Sequence, residues 1–397
     1  MVSPRAPIDR RRFLKLGAAA TGVAASACPA GEPHAESRTS GGMRYRPLGR
    51  TGLRVSEIAF GAHQVHNPQL MQAALDAGIN TFCTSGSYLD GREEESIGQV
   101  IRAIGPRRRD DLVLVTGDQI RPGTTRQRIL TLIETSLRRL GTDRIDVYYL
   151  SEACSPADLQ VGGLFEAYED AHRAGKVSHL GVSGHCGGMQ GCLNAAIDDS
   201  HFRMLFTKYD FVSYPDVGQI LHRATERGIG TMVFKVDAGG RQKEIRDLER
   251  GGLSFRQATL KWALASPDVA SVAVTITSFD QIRDCTGAVG SSLTEAESAM
   301  LDRYAREMHD RYCRFCRTCE GRCPQGAAVA EVMRYAMYFS SYGREKEAMR
   351  LYAALPGERS AAACDGCAGP CAGACPFGRA IRAEMVAAHR RLRFVST

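Results

Sequence analysis

The chain has 397 residues, which is longer than one ordinary domain, and its 44% hydrophobic and 24% charged residues are typical of a globular protein rather than a disordered one. The formal charge of +7 is modest and the basic residues are dispersed, so the composition excludes a nucleic-acid-binding protein. We expect one large domain and one small domain.

The N-terminal segment carries basic residues followed by a short apolar run. Arg10 and Arg11 begin the string RRRFLK at 10–15, and a run rich in Ala and Gly then extends to Cys28. This pattern resembles a twin-arginine export signal. The run is too short and too rich in Ala and Gly for a permanent membrane span. A basic amphipathic helix is the alternative, and we expect export by the twin-arginine route.

The letters ASA directly before Cys28 fit two processing signals. They match an A-x-A cleavage site, and they loosely match a lipobox, although Ala25 stands where a lipobox usually has Leu. The two alternatives are a soluble periplasmic protein and a lipoprotein held at the membrane by an anchor on Cys28. A polar linker follows, so residues 1–42 are predicted to be signal and linker, with the folded protein beginning at Met43.

Residues 43–297 alternate predicted strands and helices. Eight strand candidates, from VSEIAFG at 55–61 to SVAVTIT at 271–277, are separated by helical segments such as TRQRILTLIETSLRRLG at 125–141. This count over about 250 residues predicts an α/β fold, the (β/α)8 TIM barrel, with any site at the carboxyl ends of the strands. An open doubly wound sheet is the alternative, but no strand is followed by a G-x-G-x-x-G turn.

Eight of the 14 cysteines form two groups near the C-terminus. The first group has the spacing C-x2-C-x2-C-x3-C-P, which is typical of a 4Fe–4S ferredoxin, and the second has C-x2-C-x3-C-x3-C-P. Disulfides and a pair of zinc sites are the alternatives, but the duplicated pattern with its trailing proline favours two 4Fe–4S clusters. The eight predicted ligands are Cys313, Cys316, Cys319, Cys323, Cys364, Cys367, Cys371 and Cys375.

Two predicted helices join the cysteine groups, and this arrangement resembles an α-helical ferredoxin. We expect residues 298–397 to form a small iron–sulfur domain that transfers single electrons. The resemblance implies that the fourth cysteine of each group serves the other cluster. In that case Cys375 would complete one cluster and Cys323 the other.

Within the barrel, the strings RPLGRTGLRVSEIAFG, ALDAGINTF, SLRRLGTDRIDVYYL and GKVSHLGVSGH resemble the aldo-keto reductases across nearly its whole length. The resemblance implies NADPH-dependent reduction of carbonyls by an Asp, Tyr, Lys and His at the barrel mouth, with the tyrosine as proton donor. Tyr88 matches that tyrosine, whereas Cys83, Gly117 and Ser151 stand at the positions of the aspartate, the lysine and the histidine.

The cofactor signals of the family are also changed. Ser183 and Gly184 stand where the resemblance implies a Ser-Asn pair that binds the cofactor, and the Pro-Gly turn after the eighth strand is absent. An unassisted tyrosine has a pKa of about 10. We therefore expect the usual mechanism to be lost and the affinity for NADPH to be weakened, with Tyr88 and Cys83 kept as candidate catalytic residues.

Cys83 has four interpretations: a nucleophile, a redox thiol, a ligand, or a small apolar filler. Lys235, near the end of the seventh barrel strand, is a candidate substitute for the missing lysine, and a strand-end salt bridge is its ordinary interpretation. Other residues belong either to a rebuilt mouth or to surface loops: His63, His66, His185 and Cys186. Three cysteines carry no motif and are predicted to be buried or helical filler: Cys154, Cys192 and Cys285.

Two functions follow from these patterns. In the first, the protein is an exported oxidoreductase whose two clusters pass single electrons to or from a small-molecule substrate or a redox partner, either a protein or a quinone-linked donor or acceptor. In the second, the barrel is a silent scaffold and the protein is a periplasmic electron carrier or partner subunit. The large barrel attached to eight ligands favours the first.

Overall fold

The computed structural model describes residues 38–40, 42–185, 189–212, 216–237, 245, 248–249, 252–308 and 313–393. Almost all of the predicted signal and linker, with Cys28, lies outside these residues, and so does Cys186. The described residues form one compact unit. Within that unit, no helix has the length and apolar character that crossing a bilayer requires.

Eight parallel strands close into a barrel, which confirms the predicted (β/α)8 fold. Each strand pairs with the next in the chain, and the last pairs back with the first. The strands are β4 (Ile58–Gly61), β5 (Thr81–Cys83), β6 (Val113–Asp118), β7 (Ile145–Leu150), β8 (Val177–Gly184), β9 (Phe202–Lys208), β10 (Gly230–Phe234) and β11 (Ser271–Thr275).

Amphipathic helices cover the outside of the barrel. In the helix Arg126–Leu140, four buried residues lie at helical spacing, namely Ile129, Ile133, Leu137 and Leu140, and Thr125 caps its first turn. The covering helices are α1 (Pro68–Asp76), α2 (Arg92–Arg109), α3 (Arg126–Leu140), α4 (Leu164–Arg173), α5 (Met189–Asp198), α6 (Asp216–Glu226), α7 (Phe255–Leu264) and α8 (Phe279–Thr286).

An N-terminal hairpin closes the amino end of the barrel. Its strands β2 (Met43–Pro47) and β3 (Arg54–Ser56) are antiparallel, and β1 (Arg38–Ser40) adds to its edge. Arg46 binds the buried carboxylate of Glu57 at 2.7 Å and donates to backbone carbonyls that follow α7. Because this end is sealed, access to the barrel interior is from the carboxyl ends of the strands.

The described residues after the barrel form four α-helices and a second apolar core. This core joins α7 and the loop after β9 to the C-terminal helices through residues such as Phe255, Tyr304 and Met333. The predicted domain boundary between residues 297 and 298 falls inside the first of these helices, and the division into domains stays a prediction. The helices are α9 (Glu295–Met308), α10 (Val329–Ser341), α11 (Glu345–Ala353) and α12 (Ile381–Leu392).

The two cysteine motifs fold alike. Cys319 and Cys371 each precede a 3-10 turn, and Cys323 and Cys375 then turn the chain into an extended conformation. A glycine with positive φ follows three residues later in each motif, and a helix begins three residues after it. The C-terminal segment is therefore an internal repeat, with α10 and α12 as equivalent helices that pack on each other.

Candidate functional site

Tyr88 lies at the barrel mouth, in the 3-10 turn that follows β5, and is half-buried. The ring of His63 meets its ring edge-on, with centroids 4.7 Å apart. Burial raises the pKa of Tyr88, and the charge of Glu152 raises it further. A proton donor in carbonyl reduction needs a tyrosine whose pKa is lowered. The structure therefore places the family's tyrosine at the mouth in an environment that works against its family role.

Cys83 is the last residue of β5, and its side chain points into the barrel interior. Only 3% of it is exposed, and it packs in the interior core that also contains Val115 and Tyr149. Burial raises the pKa of the thiol, so the thiolate form is disfavoured at neutral pH. This environment favours the filler interpretation of Cys83 over a nucleophile, a redox thiol or a ligand.

Gly117 lies in β6, where the neighbouring strand leaves no room for a side chain. A Cβ atom at this position would lie 1.9 Å from the carbonyl oxygen of Tyr149 and 2.9 Å from its ring. Ser151, at the position that matches the family's histidine, is buried, and its N–H donates to the carbonyl of Asp118 at 2.9 Å. The space for the tetrad lysine is thus taken by backbone.

Ser183 and Gly184 end β8 and are held by neighbouring strands. The carbonyl of Ser183 accepts from the N–H of Ala153 at 2.8 Å, and the carbonyl of Gly184 accepts from Thr207 Oγ1 at 3.0 Å. A Cβ atom on Gly184 would lie 2.4 Å from the carbonyl oxygen of Ala153, so the loop after β7 fits against it. The wall where the family binds its cofactor is therefore close-packed here.

Lys235 follows β10 with φ +57°, and its side chain lies under the C-terminal helices. Its Nζ is 5.8 Å from the ring centres of both Phe234 and Tyr338. Burial, with the charges of Arg334 and Lys208, lowers its pKa to about 7. Within the described part of the chain, Lys235 forms no ion pair, so the strand-end salt bridge is not found there.

Two histidines of the mouth are half-buried, and their surroundings favour the neutral form. Burial and the charges of Arg344 and Lys235 lower the pKa of His63 to about 4, and burial with Lys235 lowers that of His185 well below its usual range. His66, by contrast, is exposed. The structure thus brings His63 and His185 to the mouth with Tyr88 and Lys235, and leaves His66 at the surface.

Helix α10 and the loop after it cover this mouth. Arg334 donates to the carbonyl of His185 at 3.4 Å, and the guanidinium of Arg344 lies 3.3 Å from Nδ1 of His63. Tyr338 lies over Lys235, as described above. These contacts are not among those that the sequence predicts. Their signal in the sequence is the pair of Arg334 and Tyr338, four residues apart on one face of α10.

Four thiols from both cysteine motifs line one cavity at the C-terminal helices. Cys313, Cys316 and Cys319 come from the first motif and Cys375 from the second; we call these four the inner quartet. Val329 and Ile381, the first residues of α10 and α12, also line the cavity. The fold thus brings together the crossed set that the ferredoxin resemblance implies.

The other four thiols gather in the same crossed way. The charges of Cys323, Cys371 and Cys367 all act on Cys364, so Cys323 of the first motif lies among three cysteines of the second. We call these four the outer quartet, because Phe315, whose ring lies 5.8 Å from Nζ of the barrel residue Lys208, stands between cysteines of the other quartet. Among the described side chains, no group of three or more His, Cys, Asp or Glu has the placement to hold a metal ion.

The loops that carry the thiols have backbone conformations suited to wrapping around a bulky group. Phe315 and Arg317 both have positive φ, at +54° and +60°, which costs each about 1 kcal/mol or more. The N–H of Phe315 points at Cys313 Sγ and that of Gly369 at Cys367 Sγ, each at 3.4 Å. Backbone N–H groups aimed at sulfur match the donors that stabilise cluster-bound thiolates.

Burial raises the pKa of four thiols, two from each quartet: Cys313, Cys319, Cys364 and Cys371. The pKa of Cys313 is raised to about 11, that of Cys319 to about 12 and that of Cys364 to about 11, in each case mainly by burial. Metal binding requires thiolates, so a group bound there would release protons.

The remaining cysteines divide into two kinds. Cys192 in α5 and Cys285 in α8 are fully buried, as the filler interpretation predicted. Cys154 is different, because it is disulfide-bonded, and the filler interpretation of this residue was wrong. Every other described cysteine is free, so its partner lies outside the described residues. Cys154 lies in the loop after β7, whose polar groups reach the mouth through Glu152.

Comparison with known proteins shows what the barrel is similar to. Residues 61–244 match the model of the Aldo/keto reductase family. This part of the chain is therefore similar to the aldo-keto reductases. The aldo-keto reductase AKR11C1 from Bacillus halodurans, in its holo form, superposes with a TM-score of 0.54 at 24% identity, over 66% of this chain and 96% of that one. At this identity the likeness shows the fold alone.

Two curated relatives extend the comparison. A protein of Oryza sativa named "Probable voltage-gated potassium channel subunit beta" is 40% identical over 134 residues, but the match covers only 30% of this chain and 41% of that protein. The "Uncharacterized oxidoreductase YrpG" of Bacillus subtilis is 28% identical over 66% of this chain and 95% of its own length. This chain is thus similar to oxidoreductases over two thirds of its length.

Restoring the family lysine should destabilise the barrel. We expect Gly117→Lys to lower the free energy of unfolding by about 3 kcal/mol, because its Cβ would overlap the Tyr149 carbonyl. Gly162→Lys is the matched control, since Gly162 is exposed with no atom near its Cβ position. Thermal unfolding followed by circular dichroism compares the two. Equal melting temperatures would contradict the prediction, because they would show that β6 and β7 can move apart at little cost in free energy.

Lys235 should make stability depend on pH. Its folded pKa of about 7 lies below its unfolded value, so the unfolded chain binds more protons between these values and stability rises with pH there. We expect Lys235→Met to stabilise the protein at pH 6 by about 2 kcal/mol, since one pKa unit is worth about 1.4 kcal/mol. The gain should be smaller at pH 9.

The control for this prediction is Lys176→Met, which removes an exposed lysine paired with Glu134. Urea denaturation at pH 6 and pH 9 measures all three proteins. A gain for Lys235→Met that is equal at both pH values would contradict a depressed pKa.

Proposed function

We propose that the protein is an exported iron–sulfur oxidoreductase that passes single electrons through two 4Fe–4S clusters to or from a substrate or redox partner. The observation that carries this proposal is the gathering of eight cysteines into two crossed quartets beside the mouth of a barrel similar to the aldo-keto reductases. The relatives support an oxidoreductase, and the quartets supply the reason to expect one-electron rather than hydride chemistry.

The residues present fit the proposed cofactors. Each quartet offers four thiols, which is the donor set of a 4Fe–4S cluster. The thiols of the inner quartet surround a cavity, and N–H groups point at Cys313 and Cys367. When bound, such clusters supply reversible one-electron reduction. The chain contributes the thiolates, the hydrogen bonds to sulfur and the burial.

The barrel mouth supports a departure from the family's reaction. The raised pKa of Tyr88 disfavours its ionised form, Gly117 leaves no room for the lysine, and no described carboxylate replaces Cys83. The packed wall at Ser183 and Gly184 agrees with weakened NADPH binding. In this proposal Tyr88 and His63 orient a small molecule by ring contact and hydrogen bonding, while electrons come from the clusters.

Export and partners complete the proposal. The twin-arginine pattern at residues 10–15 would carry a folded protein across the membrane with its clusters already inserted. The partner would then be a periplasmic redox protein or, with a lipid anchor on Cys28, a quinone-linked donor or acceptor at the membrane.

The second candidate is a silent barrel that serves as a scaffold for an electron carrier. The contacts between the cysteine-bearing segment and the mouth favour the first candidate. Phe315, inside the first motif, lies 5.8 Å from Lys208 Nζ, and Arg334 joins the same ring to His185. A module that only used the barrel for support would have no reason to meet it at its active-site end.

Double substitutions of the cysteines test the clusters and their crossing. If the quartets are crossed, Cys313→Ala with Cys375→Ala removes ligands of one cluster, and about half of the iron should remain. Cys313→Ala with Cys323→Ala removes a ligand from each, and nearly all iron should be lost. Iron analysis and electron paramagnetic resonance of anaerobically purified protein measure this, with Cys192→Ala as the control. The opposite pattern would indicate uncrossed clusters, and no iron in the wild type would refute the proposal.

An anaerobic titration distinguishes the two candidate functions. We expect dithionite to reduce the clusters and NADPH to fail, since the cofactor wall is packed. We also expect Tyr88→Phe to slow oxidation of the reduced clusters by a barrel substrate at least tenfold, with their dithionite reduction unchanged. Reduction of the clusters by NADPH would show that the barrel still accepts hydride from this cofactor, against the proposal. Identical oxidation rates in Tyr88→Phe and wild type across a carbonyl and quinone panel would favour the scaffold.

A further inference from the structure

Arg379 is a buried cation in the second cysteine motif, directly before α12. Only 8% of it is exposed. Its Nη2 and Nε bind the Glu384 carboxylate at 2.7 Å and 3.1 Å. Its third nitrogen, Nη1, is buried and has no hydrogen-bond partner. A buried donor without a partner costs about 1–3 kcal/mol, so this nitrogen is expected to have an acceptor in the functional protein.

The cavity of the inner quartet supplies the place for that acceptor. Arg379 lines this cavity together with Cys313, Cys316, Cys319 and Cys375. Its charge already acts on the Cys313 thiol. Glu384 holds two of the three guanidinium nitrogens, which fixes the plane of the group and leaves Nη1 as the donor available to an occupant. Sulfur atoms of a bound cluster are acceptors of this kind.

The internal repeat shows that the outer quartet lacks this donor. Arg379 stands four residues after Cys375, and the residue four positions after Cys323 is Ala327. Ala327 is also buried, at 2% exposure, and its methyl group can donate no hydrogen bond. The stretch from the third cysteine to the helix therefore folds alike in both halves of the repeat, but one half has a buried cation where the other has a methyl group.

Resting on the proposed function, we propose that Nη1 of Arg379 donates a hydrogen bond to the cluster of the inner quartet and holds its reduction potential above that of the outer cluster. Reduction adds one negative charge to a cluster. A buried donor that carries positive charge stabilises the reduced form more than the oxidised form, which raises the potential. Arg379 is thus a positioning and tuning residue for electron transfer.

The positions of the two quartets give the electron flow a direction. The inner quartet adjoins the barrel, because Phe315 between its cysteines meets Lys208 and Arg334. Under the proposed function, the cysteines of the outer quartet would hold the group that accepts one electron from an external reductant. Those of the inner quartet would hold the group that passes it towards the mouth, with no proton or bond change.

The test uses full-length protein with one cluster at a time. Cys323→Ala removes an outer ligand and keeps the inner cluster, whereas Cys375→Ala keeps the outer one. Arg379→Gln is placed in each background, and potentials are measured by redox titration with electron paramagnetic resonance. We expect Arg379→Gln to lower the inner potential and leave the outer potential unchanged. Arg379→Lys should give an inner reduction potential between those of Arg379→Gln and the parent, because lysine keeps the positive charge but lacks the forked guanidinium group.

A matched control separates the donor from general loss of positive charge. Arg382 lies near the outer quartet but donates to the carbonyls of Cys364 and Asp365, and Arg382→Gln should leave the inner potential unchanged. Equal potentials in Arg379→Gln and its parent would overturn the inference while the clusters stand. Loss of the inner cluster in both Arg379 variants would also overturn it, by making Arg379 a requirement for binding. Absence of any cluster in the parents would refute the proposed function itself.

Discussion

The packing of helix α10 across the carboxyl ends of the barrel strands determines the chemistry of the mouth. Tyr338 and Arg334 of this helix contact Lys235 and His185, and burial is the first cause of the pKa shift in Tyr88, His63, His185 and Lys235. The direction of every shift is towards the neutral form, as expected for groups taken out of water. The mouth is therefore lined by a neutral tyrosine, two neutral histidines and a lysine that is about half-protonated at pH 7, with helix α10 packed over them.

Positive charge is concentrated around these four side chains. Lys208, Arg334 and Arg344 surround Lys235, and Glu152 is the carboxylate whose charge opposes theirs at Lys235. Arg344 and Arg334 belong to the C-terminal segment, so the charge at the mouth is set by both halves of the protein. These positive charges stabilise a negative charge that forms on a bound molecule during a reaction, for example when it gains an electron. They do so more than they stabilise an ionised Tyr88.

The barrel could be predicted from the sequence because eight strand-like segments alternate with segments of helical periodicity. This pattern can be read along the chain without knowing any tertiary contact. All eight quartet cysteines could also be predicted, since their spacing is local. The helix that covers the mouth could not be predicted, because Arg334 and Arg344 contact His185 and His63 from far along the chain.

The role of Arg379 is hidden in the sequence for a related reason. An arginine after a cysteine motif has no distinctive spacing, and its meaning comes from a buried nitrogen and from Ala327 in the other half of the repeat. Cys154 was mistaken for filler because its disulfide partner is not adjacent in sequence.

The crossed quartets have a consequence for how the protein is made. The inner quartet needs Cys375 and the outer quartet needs Cys364, Cys367 and Cys371, so neither set of four exists until nearly the whole chain has left the ribosome. Under the proposed function, cofactor loading is the last step of synthesis, and it joins segments about 50 residues apart in a single event. A chain truncated before residue 375 would contain the barrel and the helix that covers its mouth. It would lack the cysteine that joins the second motif to the first. Cluster insertion would thus act as a checkpoint of completeness before export.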